Sequence, residues 1–284
     1  MTTPRVAAIH DMSGFGRCSL TVAIPILSAM GVQCCPLPTA FLSTHTGGFE
    51  GFTFLDMTEE MPKVAAHWKS LGLEFQAIYS GFLGSARQIG LVEAFLRDFR
   101  GSDTVVVVDP VMGDHGEIYQ TYTPEMCAGT AQLAEHADVI TPNLTEAALL
   151  LGVPYDQLPT GENGYHEIVR NLSMNGRRSV VLTGAVLSPE HTGAVCFDAK
   201  TGQSVSIETS RVPREFHGTG DVFASVLTGA LVQGHALPQA VRQAVEFVRV
   251  CAQRTAQEQL PMREGVDFEP LLGLLTAQVP TGIQ

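Results

Sequence analysis

Thr104-Val105-Val106-Val107-Val108-Asp109-Pro110 reads as a strand whose residues are apolar on both sides. Such an unbroken run suits a parallel strand covered on both faces. Pro110 stops the strand and keeps Asp109 extended. A carboxylate at the C-terminal end of a central parallel strand lies where α/β folds collect their ligands. Left alone there it would be costly, so a cation or hydrogen bonds are expected beside it. A second strand, Asp138-Val-Ile-Thr141, runs into Pro142-Asn143-Leu-Thr-Glu146 and a helix to Leu151. Asn143 and Glu146 have the spacing of a capping box. The same spacing puts Glu146 near Asp109 if the two strands are parallel. Two acidic groups at neighbouring strand ends suit Mg²⁺, an oxygen-seeking ion that keeps several waters. Both readings stand at this point.

Outward from this pair, strands alternate with helices. Strands are expected at Arg5–Ile9, Val32–Leu37, Gln76–Ser80 and Ser179–Thr183, with an antiparallel pair at Gly193–Phe197 and Ser204–Ile207. Helices are expected at 19–30, 57–71, at 85–99 with Ser85 as its cap, and at 162–175. Three more are expected at 219–233, 237–257 and 266–275. The pattern means an α/β fold with a mostly parallel central sheet and helices on both faces. No repeat or linker interrupts it, so one domain over residues 1–284 is expected, frayed after Gln278. Gly14-x-Gly16-x-x-Ser19 follows the first strand and nearly fits a dinucleotide fingerprint. The third glycine is missing, and no Asp or Glu occurs from Met12 to Phe49 to hold a ribose. The segment 10–16 reads instead as a loop lining a small-molecule pocket. Thr39 to Gly48, rich in hydroxyls and bounded by Phe41, Phe49 and Phe52, reads as a flap or a polar surface loop.

Phe216-His217-Gly218-Thr219-Gly220-Asp221 is a glycine turn opening a helix, with Thr219 or Asp221 available as its cap. Free N–H groups and the helix dipole make that end an anion site. Asp221 stands at the same spot, where a carboxylate could take a proton from an attacking hydroxyl.

Composition narrows the chemistry. The 284 residues are 45% hydrophobic and only 16% charged, with a net charge of -12. That balance leaves no electrostatic footprint for nucleic acid or an anionic membrane. The three lysines, Lys63, Lys69 and Lys200, all lie outside glycine-rich loops, which excludes a Walker motif. Phosphate must therefore be held by backbone N–H groups, Arg or metal. The six cysteines show no C-x-x-C and no zinc spacing. With no charged leader and no bilayer-length apolar run, a reduced cytoplasmic protein is expected.

Asp109-Pro-Val-Met-Gly, Ile140-Thr-Pro-Asn-Leu-Thr-Glu146, Val181-Leu-Thr-Gly184 and Gly218-Thr-Gly-Asp221, in this order, resemble the ribokinase-like superfamily. Ser43-Thr-His-Thr-Gly-Gly48 and Ser80-Gly-Phe82 narrow the resemblance to the pyridoxal (pyridoxine/pyridoxamine) kinases and the related hydroxymethylpyrimidine kinases. It covers about residues 5–260. The resemblance implies ATP-dependent phosphorylation of a hydroxymethyl group on a B6 vitamer, or alternatively on hydroxymethylpyrimidine. Asp221 would be the catalytic base, and Gly218, Thr219 and Gly220 the anion hole. Asp109 and Glu146 would serve ATP and Mg²⁺. Asn143, Thr183 and Thr219 would stand on the nucleotide side. Thr141 and Thr183 would line a K⁺ or Na⁺ site. Ser13 and Thr46 would line the vitamin pocket, where His45 is a further polar group and Phe82 an apolar face. A homodimer is also implied. Three departures stand out: Phe82 replaces a common Tyr, His217 precedes the glycine turn, and Asp11-Met-Ser-Gly-Phe-Gly16 looks somewhat like the first loop of the pyrimidine kinases. A sugar or nucleoside kinase, and a non-catalytic sensor on the same fold, are the remaining rivals.

Overall fold

The computed structural model describes residues 3–276. The strands are β1 (Arg5–Ser13), β2 (Gln33–Leu42), β3 (Phe54–Asp56), β4 (Ala77–Ser80), β5 (Val105–Val108), β6 (Gly113–Asp114), β7 (Glu117–Ile118), β8 (Val139–Ile140), β9 (Ser179–Val186), β10 (His191–Asp198) and β11 (Gln203–Ser210). The α-helices are α1 (Ser19–Ala29), α2 (Met61–Ser70), α3 (Ala86–Phe99), α4 (Pro124–Ala134), α5 (Leu144–Leu151), α6 (Gly161–Leu172), α7 (Thr219–Val232) and α8 (Leu237–Gln257). The main sheet has the order β11-β10-β9-β8-β5-β4-β1-β2-β3. Its interior is parallel from β2 to β9, and β3, β10 and β11 are antiparallel edges.

The apolar runs are explained by what covers them. In β5, Val107 packs with α1, α7 and α8, while Val106 and Val108 pack with α3 to α6. Both faces of the strand are buried, so no polar position is left to alternate. Because β5 and β8 are parallel neighbours, with Val108 opposite Ile140, their C-terminal ends bring Asp109 and Thr141 side by side.

Several expectations need correction. β1 runs on through Ser13 and β2 through Leu42, so 10–13 and 39–42 are strand. The segment expected as a flap or a polar surface loop is therefore the shorter loop 43–53 of a β2–β3 hairpin, closed at its base by Ser43 N–H to Thr53 O (3.2 Å) and Thr53 N–H to Ser43 Oγ (2.9 Å). Helix α4 was not foreseen. It starts at Pro124, with Thr123 Oγ1 accepting from Met126 N–H at 3.2 Å. Ser85 holds the N-cap position of α3 without a capping hydrogen bond. The expected helix at 266–275 is a 3-10 segment, Glu269–Leu275. The stretch after Gln278 lies outside the described residues. Among those described, no helix is long and apolar enough to cross a membrane.

Candidate active site

Helix α7 begins without a side-chain cap. Its N-cap is Gly218 itself at φ 74, so neither Thr219 nor Asp221 caps the start as expected. The reason for glycine is steric. A Cβ at Gly218 would lie 2.0 Å from the Arg17 carbonyl oxygen, which the chain delivers just before α1. Gly220, by contrast, faces open space. Val222 N–H bonds back to Gly218 O at 3.0 Å, whereas the N–H groups of Thr219, Gly220 and Asp221 find no acceptor among the described residues. Thr219 Oγ1 turns back towards Phe216 O at 3.4 Å. Three unpaired donors at the positive end of a 14-residue helix form a cradle for an anion.

Acidic groups gather in front of this cradle. Burial pushes the Asp221 carboxyl up to about 8; the Ser19 N–H opposes the shift, and the charges of Asp109 and Asp11 add to it. Asp109, buried at the end of β5, is pushed up to about 6 by burial, against a 2.8 Å hydrogen bond from Thr141 Oγ1. Glu146 is raised as well, by burial first and then by Asp109. No cationic side chain is among the groups acting on these three carboxyls. Buried like charges without a counter-ion fit a site that receives a cation from outside. Among the described residues, no three His, Cys, Asp or Glu side chains converge closely enough to hold a metal unaided. That donor set fits Mg²⁺, which needs only one or two carboxylates when phosphates and waters supply the rest.

The capping box at α5 is real. Glu146 N–H donates to Asn143 Oδ1 (2.9 Å), and Asn143 N–H donates to Glu146 Oε2 (2.9 Å). Glu146 Oε1 also accepts from Met112 N–H at 3.2 Å. Asn143 Nδ2 is spent on Gly113 O at 2.9 Å, so its side chain is occupied holding the 113–118 hairpin to α5. Thr183, in β9, leans on Pro142 O through its N–H (2.9 Å) and its hydroxyl (3.4 Å).

The residues expected around the acceptor are placed less uniformly. Ser13 Oγ is fully buried and donates to Asp11 Oδ2 at 2.9 Å. Phe82 is half-buried and meets Tyr122 edge-on at 5.8 Å, with no hydroxyl of its own to offer. Thr46 is half-buried at the flap tip. His45 is the exception. Gly47 N–H donates to its Nδ1 (3.0 Å), and its Nε2 donates to Arg263 O (2.7 Å), so both ring nitrogens are taken by backbone. Three neighbours are not singled out by the sequence as site residues: Asp11, Ser19 and Tyr119. Asp11 offered a signal, a carboxylate after a buried strand, as at Asp109. Ser19 sits at φ 50, a left-handed conformation unusual for a side-chain-bearing residue. Tyr119 is raised by burial and then by the charges of Glu146, Asp114, Asp109 and Asp221.

A parallel sheet with an anion cradle and buried acids at its strand ends is the architecture of a ribokinase-like, ATP-dependent small-molecule kinase. Residues 24–265 match the family model described as phosphomethylpyrimidine kinase, and the chain belongs to that family. It is 27% identical to the pyridoxine/pyridoxal/pyridoxamine kinase of Bordetella bronchiseptica, over 89% of each chain. It is 28% identical to the hydroxymethylpyrimidine/phosphomethylpyrimidine kinase of Streptomyces coelicolor, over 87% of this chain and 88% of that one. A crystal structure from Bacteroides thetaiotaomicron, described as a phosphomethylpyrimidine kinase in a form with pyridoxal, is 43% identical with a TM-score of 0.91, covering 98% of each chain.

Proposed function

We propose that the whole chain acts as one kinase domain that transfers the γ-phosphoryl group of ATP to the hydroxymethyl group of B6 vitamers: pyridoxal, pyridoxine and pyridoxamine. The observation that carries this reading is the meeting of the raised Asp221 carboxyl with three unpaired N–H groups at one helix end. The similarity to a protein crystallised with pyridoxal supports the choice of acceptor. Asp221 takes the hydroxymethyl proton as the new O–P bond forms, and the bond to the β-phosphate oxygen breaks to release ADP. A carboxyl whose pKa lies nearer the working pH is a stronger base than an ordinary one. The N–H groups of Thr219, Gly220 and Asp221 face the charge on the transferred group, which is where preorganised donors have most effect. Gly218 sets the turn that aims them.

Asp109 and Glu146 hold Mg²⁺ in this reading, which when bound offsets phosphate charge. Thr141 and Thr183 offer hydroxyl oxygens to K⁺ or Na⁺, and Thr183 and Thr219 lie on the nucleotide side. Asn143 contributes by fixing Glu146. Ser13 orients Asp11, Phe82 supplies an apolar face for a flat ring, and Thr46 is the flap's polar contact. Crystals soaked with pyridoxal and ADP test the arrangement: the hydroxymethyl oxygen should lie within hydrogen-bond reach of Asp221. A ring bound elsewhere, or turned away, would contradict it.

Glu146→Gln separates two roles that coexist at one residue. As a metal-side carboxylate, its loss should raise the Mg²⁺ concentration for half-maximal rate on the order of 10–100-fold. As a cap alone, it should cost thermal stability and leave the Mg²⁺ dependence unchanged. We expect both the stability loss and the Mg²⁺ shift. An unchanged Mg²⁺ titration would remove Glu146 from the metal site.

A further inference from the structure

His45, expected as a polar group of the vitamin pocket, has both ring nitrogens bonded to backbone. Its ring is buried at the tip of the 43–53 flap. The Arg263 carbonyl can only accept and the Gly47 N–H can only donate. The ring is therefore held in one neutral tautomer, Nε2–H towards Arg263 and Nδ1 bare towards Gly47. Around it the packing is close. A Cβ at Gly16 (φ +90) would lie 2.3 Å from His45 Cδ2, so the glycine of the first loop is what admits the ring. Phe49 stands edge-on to His45 at 4.9 Å and to Phe15 at 5.8 Å, with the Arg263 guanidinium 5.1 Å over its face. On the other side, a Cβ at Gly47 would lie 2.9 Å from His217 Cε1, and His217 immediately precedes the glycine turn.

Four chain segments far apart in sequence therefore meet at one imidazole: the first loop, the flap, the turn before α7, whose His217 ring lies 5.4 Å away, and the segment after α8. The segment after α8 is itself anchored. Arg17 N–H bonds Glu264 O at 3.1 Å, His217 N–H reaches Met262 O at 3.4 Å, and the Arg17 guanidinium pairs with Asp267 and Glu269. We propose that His45 is a positioning residue, a latch that ties the flap tip to the Arg263 carbonyl and so holds Thr46 and Gly47 against the glycine turn. Its consequence for acceptor binding rests on the B6 reading; the latch itself does not.

The test compares hydrogen exchange of residues 43–53 in the ligand-free parent, His45→Ala and His45→Gln, with circular dichroism confirming that each variant folds. Gln can accept from Gly47 through its carbonyl and donate to Arg263 through its amide. Losing two hydrogen bonds of ordinary net strength corresponds to about a tenfold effect or more. Flap amides of His45→Ala should thus exchange about tenfold faster, with the Gln variant restored towards the parent. In turnover, His45→Ala should raise the acceptor KM about tenfold with a smaller change in kcat, and His45→Gln should recover most of it. Unchanged flap exchange in His45→Ala, or a Gln variant as impaired as Ala, would overturn the latch, and faster exchange with an unchanged acceptor KM would overturn its consequence for acceptor binding. Should the parent phosphorylate no B6 vitamer at all, the functional reading fails while the exchange comparison still decides the latch.

Discussion

Asp221→Asn should lower kcat by about 10²–10⁴, the usual worth of a general base, while ATP still binds. Asn keeps the size of the side chain and can still accept the Ser19 N–H, but it cannot take a proton. The same substitution should behave differently in a stability measurement. In the ligand-free parent the folded carboxyl titrates at about 8, against an ordinary value of 3.8. Between those values the unfolded chain has released a proton that the folded chain still holds, so stability falls as pH rises through the window. Asp109, pushed up to about 6, adds a smaller loss of the same sign over the lower part of it. The amide that replaces the Asp221 carboxyl does not titrate. The thermal midpoint of the variant should therefore gain on the parent steadily from pH 5 to pH 8. Near-parent turnover would remove Asp221 from the chemistry, and a midpoint difference flat across that range would contradict its raised pKa.

Gly218→Ala should be the most damaging single-methyl change in the site. Two costs act together. The backbone sits at φ 74, where a Cβ is strained, and that Cβ would meet the Arg17 carbonyl at 2.0 Å, against backbone that cannot swing aside like a flexible side chain. A loss of roughly 2–4 kcal/mol is expected from strain and overpacking combined. If the fold survives by shifting the turn, the N–H groups of residues 219–221 move off the phosphoryl position and kcat falls with stability. The neighbouring Gly220→Ala, whose Cβ meets nothing within 4 Å, is the control: it should keep the fold. Denaturant unfolding and steady-state kinetics on both variants check this. Equal stability of the two would contradict the steric account of Gly218.

What could be read from the sequence was what rests on short-range pattern. The apolar run of β5 announced a strand buried on both faces, and Asp109-Pro110 announced its end. Helix α8 spans Leu237–Gln257 as its periodicity predicted. The capping box at Asn143 and Glu146 was legible because its two partners lie within one helical turn. Strand ends were harder. His10, Ser13 and Thr39 are fully buried polar residues inside β1 and β2, and their polarity read as loop because the neighbours that cover them are distant in sequence. Gly16 reads in the sequence as part of a pocket-lining loop, and nothing local shows that its missing side chain admits the His45 ring. The partner of that ring, the Arg263 carbonyl, lies 218 residues along the chain. No local spacing encodes a contact of that kind, and a backbone acceptor leaves no trace in residue identity.

The acceptor is the central claim, and one comparison addresses it directly: kcat/KM for pyridoxal, pyridoxine, pyridoxamine and hydroxymethylpyrimidine with saturating MgATP under one set of conditions. Phe82 offers a stacking face without a hydroxyl, and an apolar wall rejects related rings only weakly. The expected result is turnover of more than one B6 vitamer, with hydroxymethylpyrimidine phosphorylated more slowly. Hydroxymethylpyrimidine preferred by tenfold or more, about 1.4 kcal/mol of transition-state stabilisation, would contradict the B6 assignment and make the chain a hydroxymethylpyrimidine kinase.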